Sequence, residues 1–95
     1  MDFLLVDVKC ISSSLPYEKV DKKRVEVLAQ SILKCQGLVR PIVLKQTGPE
    51  NFVVLSGNTE YYAALKAKEV DPQKGEMVNA VVIKPKDEEM VLGQL

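Results

Sequence analysis

VVLSGNTEYYAAL, residues 53–65, changes its rhythm in the middle. A β-branched run stops at Gly57, and the apolar residues then recur every three or four positions, which predicts a strand turning straight into a helix. Such a junction points free backbone N–H groups along the positive end of the helix dipole, a place that suits phosphate or carboxylate. Gly57 would let a ligand approach the backbone, and Asn58 and Thr59 could cap the helix or donate to an oxygen. Glu60 pulls the other way: a carboxylate in the first helical turn is stabilised by the dipole and repels an incoming phosphate. An ordinary, well-capped strand-to-helix turn explains the same residues.

Outward from this junction the chain alternates strand and helix patterns. FLLVDVKCI (3–11) predicts a first strand with one wet face marked by Asp7 and Lys9. SSSLPYEKV breaks it. Asp21 is the expected N-cap of a helix whose stripe is Val25, Leu28, Ala29, Ile32 and Leu33, and Gly37 is the expected left-handed stop. Pro41 opens a short strand, TGPEN (47–51) turns, and FVVLS (52–56) returns, making a hairpin. The helix from about Thr59 carries Tyr61, Tyr62, Ala64, Leu65 and Ala67 and ends at VDPQKGE (70–76). MVNAVVIK (77–84) is the last strand, and Asp87 could cap a short terminal helix. The order strand-helix-strand-strand-helix-strand-helix is that of a small mixed sheet with helices, α+β in class.

Ninety-five residues, 46% hydrophobic and 27% charged, suit one compact domain over 1–95, which could be the N-terminal part of a longer protein. Thirteen Lys and Arg balance thirteen Asp and Glu, so no global field draws the chain to nucleic acid or to an anionic membrane, and DNA contact is expected only indirectly or through a further domain. No apolar run reaches membrane-spanning length and no secretory signal is visible, so the expected location is cytoplasmic. Cys10 and Cys35 read as reduced fillers rather than metal ligands, and the chain has no histidine, which removes Ser-His and Cys-His nucleophile pairs. No metal site is expected from the residues themselves.

Few cations could serve the Gly-Asn-Thr turn. Arg40, just before the Pro41 strand, could clamp a carboxylate or phosphate with its fork, and Lys22, Lys23 and Arg24 form a basic cluster in the first turn of a helix, most simply as a solvated face. Tyr61 and Tyr62 are neighbours on a helix, so one faces the core while the other is exposed enough to stack on a ligand ring. Glu60 with Asp87, Glu88 and Glu89 could hold magnesium for hydrolysis, but ordinary surface acids read the same way.

Three segments carry a family resemblance. VEVLAQSILKCQGLVRPIVLK (25–45) is similar to a helix of pattern Leu-Ala-x-Ser-Ile followed by Gly-Leu-x-x-Pro-Ile-x-Val; FVVLSGNTEYYAALKA (52–67) is similar to a strand ending in Gly-Glu-Arg-Arg and continuing into a helix with paired alanines; VNAVVI (78–83) matches a final strand. Together they resemble the N-terminal domain of ParB-type chromosome and plasmid partition proteins, a fold shared with sulfiredoxin. The resemblance implies nucleotide binding and CTP hydrolysis with Mg2+, and a DNA-linked role in a bacterial-type protein. Gly57 falls on the family glycine and Ala63 and Ala64 on its alanines. Asn58, Thr59 and Glu60 stand where Glu, Arg and Arg would be, and Leu15, Pro16 and Tyr17 where a Gln-Pro-Arg would be, so three arginines that would neutralise phosphate are replaced. Sulfinic acid reduction would need a cysteine where Asn58 stands.

The expectation is therefore a ligand- or partner-binding domain with a degenerate triphosphate site, lined by Gly57, Asn58, Thr59, Arg40 and Tyr61. Two rivals remain: a metal-dependent CTPase or nuclease with Glu60 as ligand or general base, and a ligand-free scaffold that binds a protein partner or a second copy of itself.

Overall fold

The computed structural model describes residues 2–35 and 41–84. Five strands form one mixed sheet: β1 (Asp2–Asp7), β2 (Ile11–Ser12), β3 (Ile42–Gly48), β4 (Asn51–Ser56) and β5 (Met77–Ile83), in the order β1-β5-β3-β4-β2. Two helices, α1 (Lys22–Cys35) and α2 (Asn58–Val70), pack against each other. The pairs β1/β5 and β3/β4 are antiparallel, whereas β3/β5 and β2/β4 are parallel. The class is α+β, as expected. The Gly37 helix stop, Arg40 and the Asp87 helix lie outside the described residues.

The first strand is shorter than its apolar run suggests. Asp7 Oδ1 accepts the Lys9 N–H at 2.9 Å and turns Val8–Cys10 into a single 3-10 turn, while the Val8 N–H is taken by Glu76 O at 2.9 Å. This local cap competes with continued pairing and wins. The chain thus passes from β1 on one edge of the sheet to β2 on the other within three residues, so the sheet must curl. The expected wet face is there, with Lys9 exposed and Asp7 half-buried while Val6 and Val8 are buried, but it also carries the exposed apolar residues Phe3 and Leu5, and Leu4 beside Val6 is exposed as well.

One face of the curled sheet supplies the core. Val6, Ile42, Leu44, Val54, Val78, Ala80 and Val82 alternate inward with period two, and their neighbours face the other way. Cross-strand register keeps them together, with Ile42 beside Ala80, Leu44 beside Val82 and Val54, and Val6 beside Val78. Onto this face come Val25, Ala29 and Ile32 of α1 and Tyr61, Ala64 and Ala67 of α2. Each large apolar side chain so buried stabilises the fold by roughly 1.5–3 kcal/mol before entropy is counted.

The helix ends are satisfied locally. Asp21 Oδ1 accepts the N–H groups of Lys23 at 3.0 Å and Arg24 at 3.3 Å, the expected N-cap of α1. Near its other end, Lys74 Nζ donates to Leu33 O at 2.8 Å, so a lysine from the loop after α2 answers an orphan carbonyl. The same loop holds Gly75, which is buried so tightly that an added Cβ would lie 2.4 Å from both Ala64 O and Lys68 N. Its role is close passage over α2, beyond the helix-terminating role read from the sequence. No helix among the described residues is long and apolar enough to cross a membrane.

Candidate functional site

The junction between β4 and α2 depends on one backbone conformation. Gly57 sits at φ 99° and ψ 35°, in the left-handed region that glycine adopts freely, and the Tyr61 N–H closes the first turn onto Gly57 O at 2.9 Å. A Cβ at Gly57 would stand 2.7 Å from Ile42 Cγ2. The glycine therefore answers to the fold first, to the turn and to the neighbouring strand. Asn58, Thr59 and Glu60 follow in the first turn of α2 and are all half-buried.

A second segment comes to this turn from far away in sequence. Ser12 to Tyr17 leads from β2 into the 3-10 turn Tyr17–Lys19 and lies along the first two turns of α2. Ser13 Oγ hydrogen-bonds Asn58 Oδ1 and also accepts the Leu15 N–H at 3.1 Å. Tyr62 donates its hydroxyl to Leu15 O at 2.7 Å, and its ring meets that of Tyr17 edge-on with centroids 5.4 Å apart. Lys22 Nζ stands 5.7 Å from the centre of the Tyr17 ring, within cation–π range.

Tyr61 lies deeper. Its ring is 7% exposed and packs 5.1 Å from that of Tyr62, and its hydroxyl donates to Ile11 O at 3.0 Å. Burial, helped by the neighbouring Tyr62, raises its pKa above the usual phenol value. Of the two adjacent tyrosines, Tyr62 is the one that reaches the surface, so Tyr61 is in no position to stack on a ligand. It works as a strut between α2 and β2.

Tyr17, Tyr62, Leu65, Lys66 and Glu69 line a cleft of about 310 Å³ on the outer side of this contact. Lys66 pairs with Glu26 of α1, a bond that favours its charged form and raises its pKa. The cleft is thus walled by two rings and edged by Lys66 and Glu69. A triphosphate fits the neighbouring helix turn poorly: Glu60 is the acid in the first turn of α2, and the Asn58 side-chain oxygen is already bonded to Ser13. An amphipathic, planar group of low charge fits the tyrosine walls better.

Among the residues expected to form the site, Gly57, Asn58, Thr59 and Glu60 are contiguous on the turn, Tyr61 is in the core, and Arg40 lies outside the described residues. Of the basic cluster, Lys22 comes to the site through Tyr17, while the backbone N–H groups of Lys23 and Arg24 serve the Asp21 cap. Ser13 escaped the sequence reading because only the tertiary return of the 12–17 segment makes it a neighbour of Asn58. Its place in a serine run before Pro16 is the signal that could have marked it as a turn former.

No family model and no curated protein sequence matches the chain. Solved structures do. The C-terminally truncated chromosome-partitioning protein ParB from Caulobacter crescentus, complexed with CTP-γ-S, superposes with a TM-score of 0.66 at 14% identity over 100% of this chain and 53% of its own. The same ParB complexed to the centromeric parS site gives 0.62 at 18% identity over 95% of this chain and 45% of its own. Sulfiredoxin from Arabidopsis thaliana gives 0.64 at 18% identity, covering 97% of this chain and 98% of its own. The chain spans about half the length of the ParB chains it matches, and it has the ParB/sulfiredoxin-like fold.

Proposed function

We propose that the chain is a ParB-like binding module in a DNA-linked regulatory setting, acting by ligand recognition rather than by turnover. Its ligand would lie in the cleft of Tyr17 and Tyr62 with one end towards Asn58 and Thr59. The DNA-linked setting rests on the likeness to the ParB structures complexed with CTP-γ-S and with parS. One observation carries the ligand preference: the 13–17 segment is fastened to the start of α2 through Asn58 and Tyr62, which raises an aromatic wall beside a helix turn whose acidic residue is Glu60. Aromatic faces hold a base or similar ring whatever its substituents, whereas a polyphosphate needs cations where this turn has a carboxylate. A nucleoside or a nucleotide of low charge is the class that fits.

Calorimetric titration of the chain with cytidine, CTP, ATP and GTP, each with and without Mg2+, tests this reading. Saturable binding in which cytidine and CTP differ by less than about threefold, lost in Tyr17→Ala, supports it. Silence at millimolar concentration of every compound overturns it. So does CTP binding more than tenfold tighter than cytidine accompanied by Mg2+-dependent phosphate release, which would restore the hydrolase reading with Glu60 as metal ligand or general base.

A further inference from the structure

Among the described residues, the outer edge of β1 has no strand partner. β1 is an outer strand of the sheet, paired along its whole length with β5 in unbroken register from Asp2↔Val82 to Asp7↔Met77. Edge strands are commonly blunted by proline, lysine or a bulge, and the run DFLLVD has none of these. Instead Phe3 is 77% exposed, Leu4 48% and Leu5 63%. A groove of about 460 Å³ separates residues 4–7 from Lys9, Cys10, Pro49, Glu50 and Phe52 of the same chain, so β1 is not packed directly against them.

We infer that this edge pairs with the β1 edge of a second copy, in antiparallel register about Leu4. Two copies related by a two-fold axis present the same edge to each other, and residues directly opposite in an antiparallel pair share one face of the sheet. The axis must therefore pass through a residue rather than between two, because only then do inward residues stay opposite inward ones. Centred on Leu5, the pairing sets Phe3 against Asp7. Centred on Leu4, it sets Phe3 against the partner's Leu5, Leu4 against the partner's Leu4, and Asp2 against the partner's Val6. That register brings Phe3 and Leu5 of both copies together on the outer face around the axis and sets the two Leu4 side chains against each other on the inner face.

The dimer would join two sheets into one. Phe3 lies beside Val81, and Val81 beside Val43, so the clustered side chains continue an apolar row across the outer face of each sheet. Equal numbers of positive and negative side chains, thirteen of each, put no net repulsion between the copies. A pairing of two six-residue edges is small beside the ~1,200 Å² at the lower limit of stable specific interfaces, so a weak dimer is expected, and about ten to a few hundred micromolar is the range in which to look for it.

Sedimentation equilibrium across that range tests the inference, together with oxidative cross-linking. The unsubstituted chain is expected to approach twice the monomer mass, and the double variant Phe3→Lys with Leu5→Lys to dissociate at least tenfold more readily. Both lysines replace exposed residues, so the fold is not at stake, and unchanged circular dichroism verifies this. Leu4→Cys places two thiols opposite each other on the axis and should cross-link beyond the unsubstituted background, while Leu5→Cys, two positions out of register, should not. A monomer at every concentration, a dimer indifferent to the lysines, or faster cross-linking through Leu5→Cys would overturn it.

Discussion

Gly57 passes over Ile42 with no room for a side chain: an added Cβ would sit 2.7 Å from Ile42 Cγ2 and 3.1 Å from Ile42 Cβ, on a backbone already at positive φ. Ile42 is wholly buried beneath it. Any other residue here must bear the left-handed conformation, at about 1–2 kcal/mol, and then displace a core side chain, which typically costs a further 1–3 kcal/mol. Gly57→Ala is therefore expected to lose about 2–5 kcal/mol of stability in urea denaturation, with or without ligand. A loss under about 0.5 kcal/mol would show that the turn relaxes, and would return Gly57 to the role of ligand gate.

Tyr62 and Asn58 hold the 13–17 segment, each through one side-chain bond. Removing such a bond costs about 0.5–1.5 kcal/mol, because water can replace a half-buried partner. Tyr62→Phe keeps the ring against Tyr17 and removes only the bond to Leu15 O. Its expected signature is local: amide exchange faster by about three- to tenfold between residues 13 and 19, with little change in β5. A uniform acceleration across the sheet would mean that the hydroxyl supports the whole fold instead.

What could be read from the sequence divides according to the range of the interactions involved. The α1 stripe, its Asp21 cap, the β3–β4 hairpin and the strand-to-helix junction at Gly57 all follow from residues a few positions apart, and the structure has them. The break after Asp7 was harder to see, since the apolar run continues through Val8 and Ile11 and only the Asp7 cap, with the Val8 bond to Glu76, ends the strand. Which of two adjacent tyrosines turns inward depends on what α2 packs against, and the answer is Tyr61. Ser13 and Gly75 gain their meaning from partners 45 residues and about ten residues away, Asn58 and Ala64, which no local pattern encodes.

Tyr61 should also set the alkaline limit of stability. Its pKa is raised in the folded chain, so the native state holds the phenolic proton more tightly than the unfolded chain does. The resulting stabilisation is complete below the unfolded value near 10 and is lost as pH rises through the higher folded value. In a spectrophotometric titration of the three tyrosines, one is expected to ionise last, and Tyr61→Phe should remove that late step. Unfolding free energy should fall above pH 10 in the parent and more gently in the variant. Early ionisation of all three would contradict the burial seen for this ring.

Glu60 offers the sharpest control over what the α2 turn accepts. Its carboxylate interacts favourably with the helix N-terminus, so replacing it with a cation should cost about 0.3–1 kcal/mol of stability. The same replacement puts a guanidinium where an anion would meet the free N–H groups of the turn, and a charge-assisted bond contributes about 1.5–3 kcal/mol. Glu60→Arg is therefore expected to tighten CTP binding about ten- to a hundredfold while leaving cytidine binding unchanged, with a small loss in denaturation midpoint. Calorimetry of both ligands on parent and variant separates these effects. If CTP affinity does not move, the phosphates lie away from the turn, and the low charge preference must come from the Tyr17–Tyr62 cleft alone.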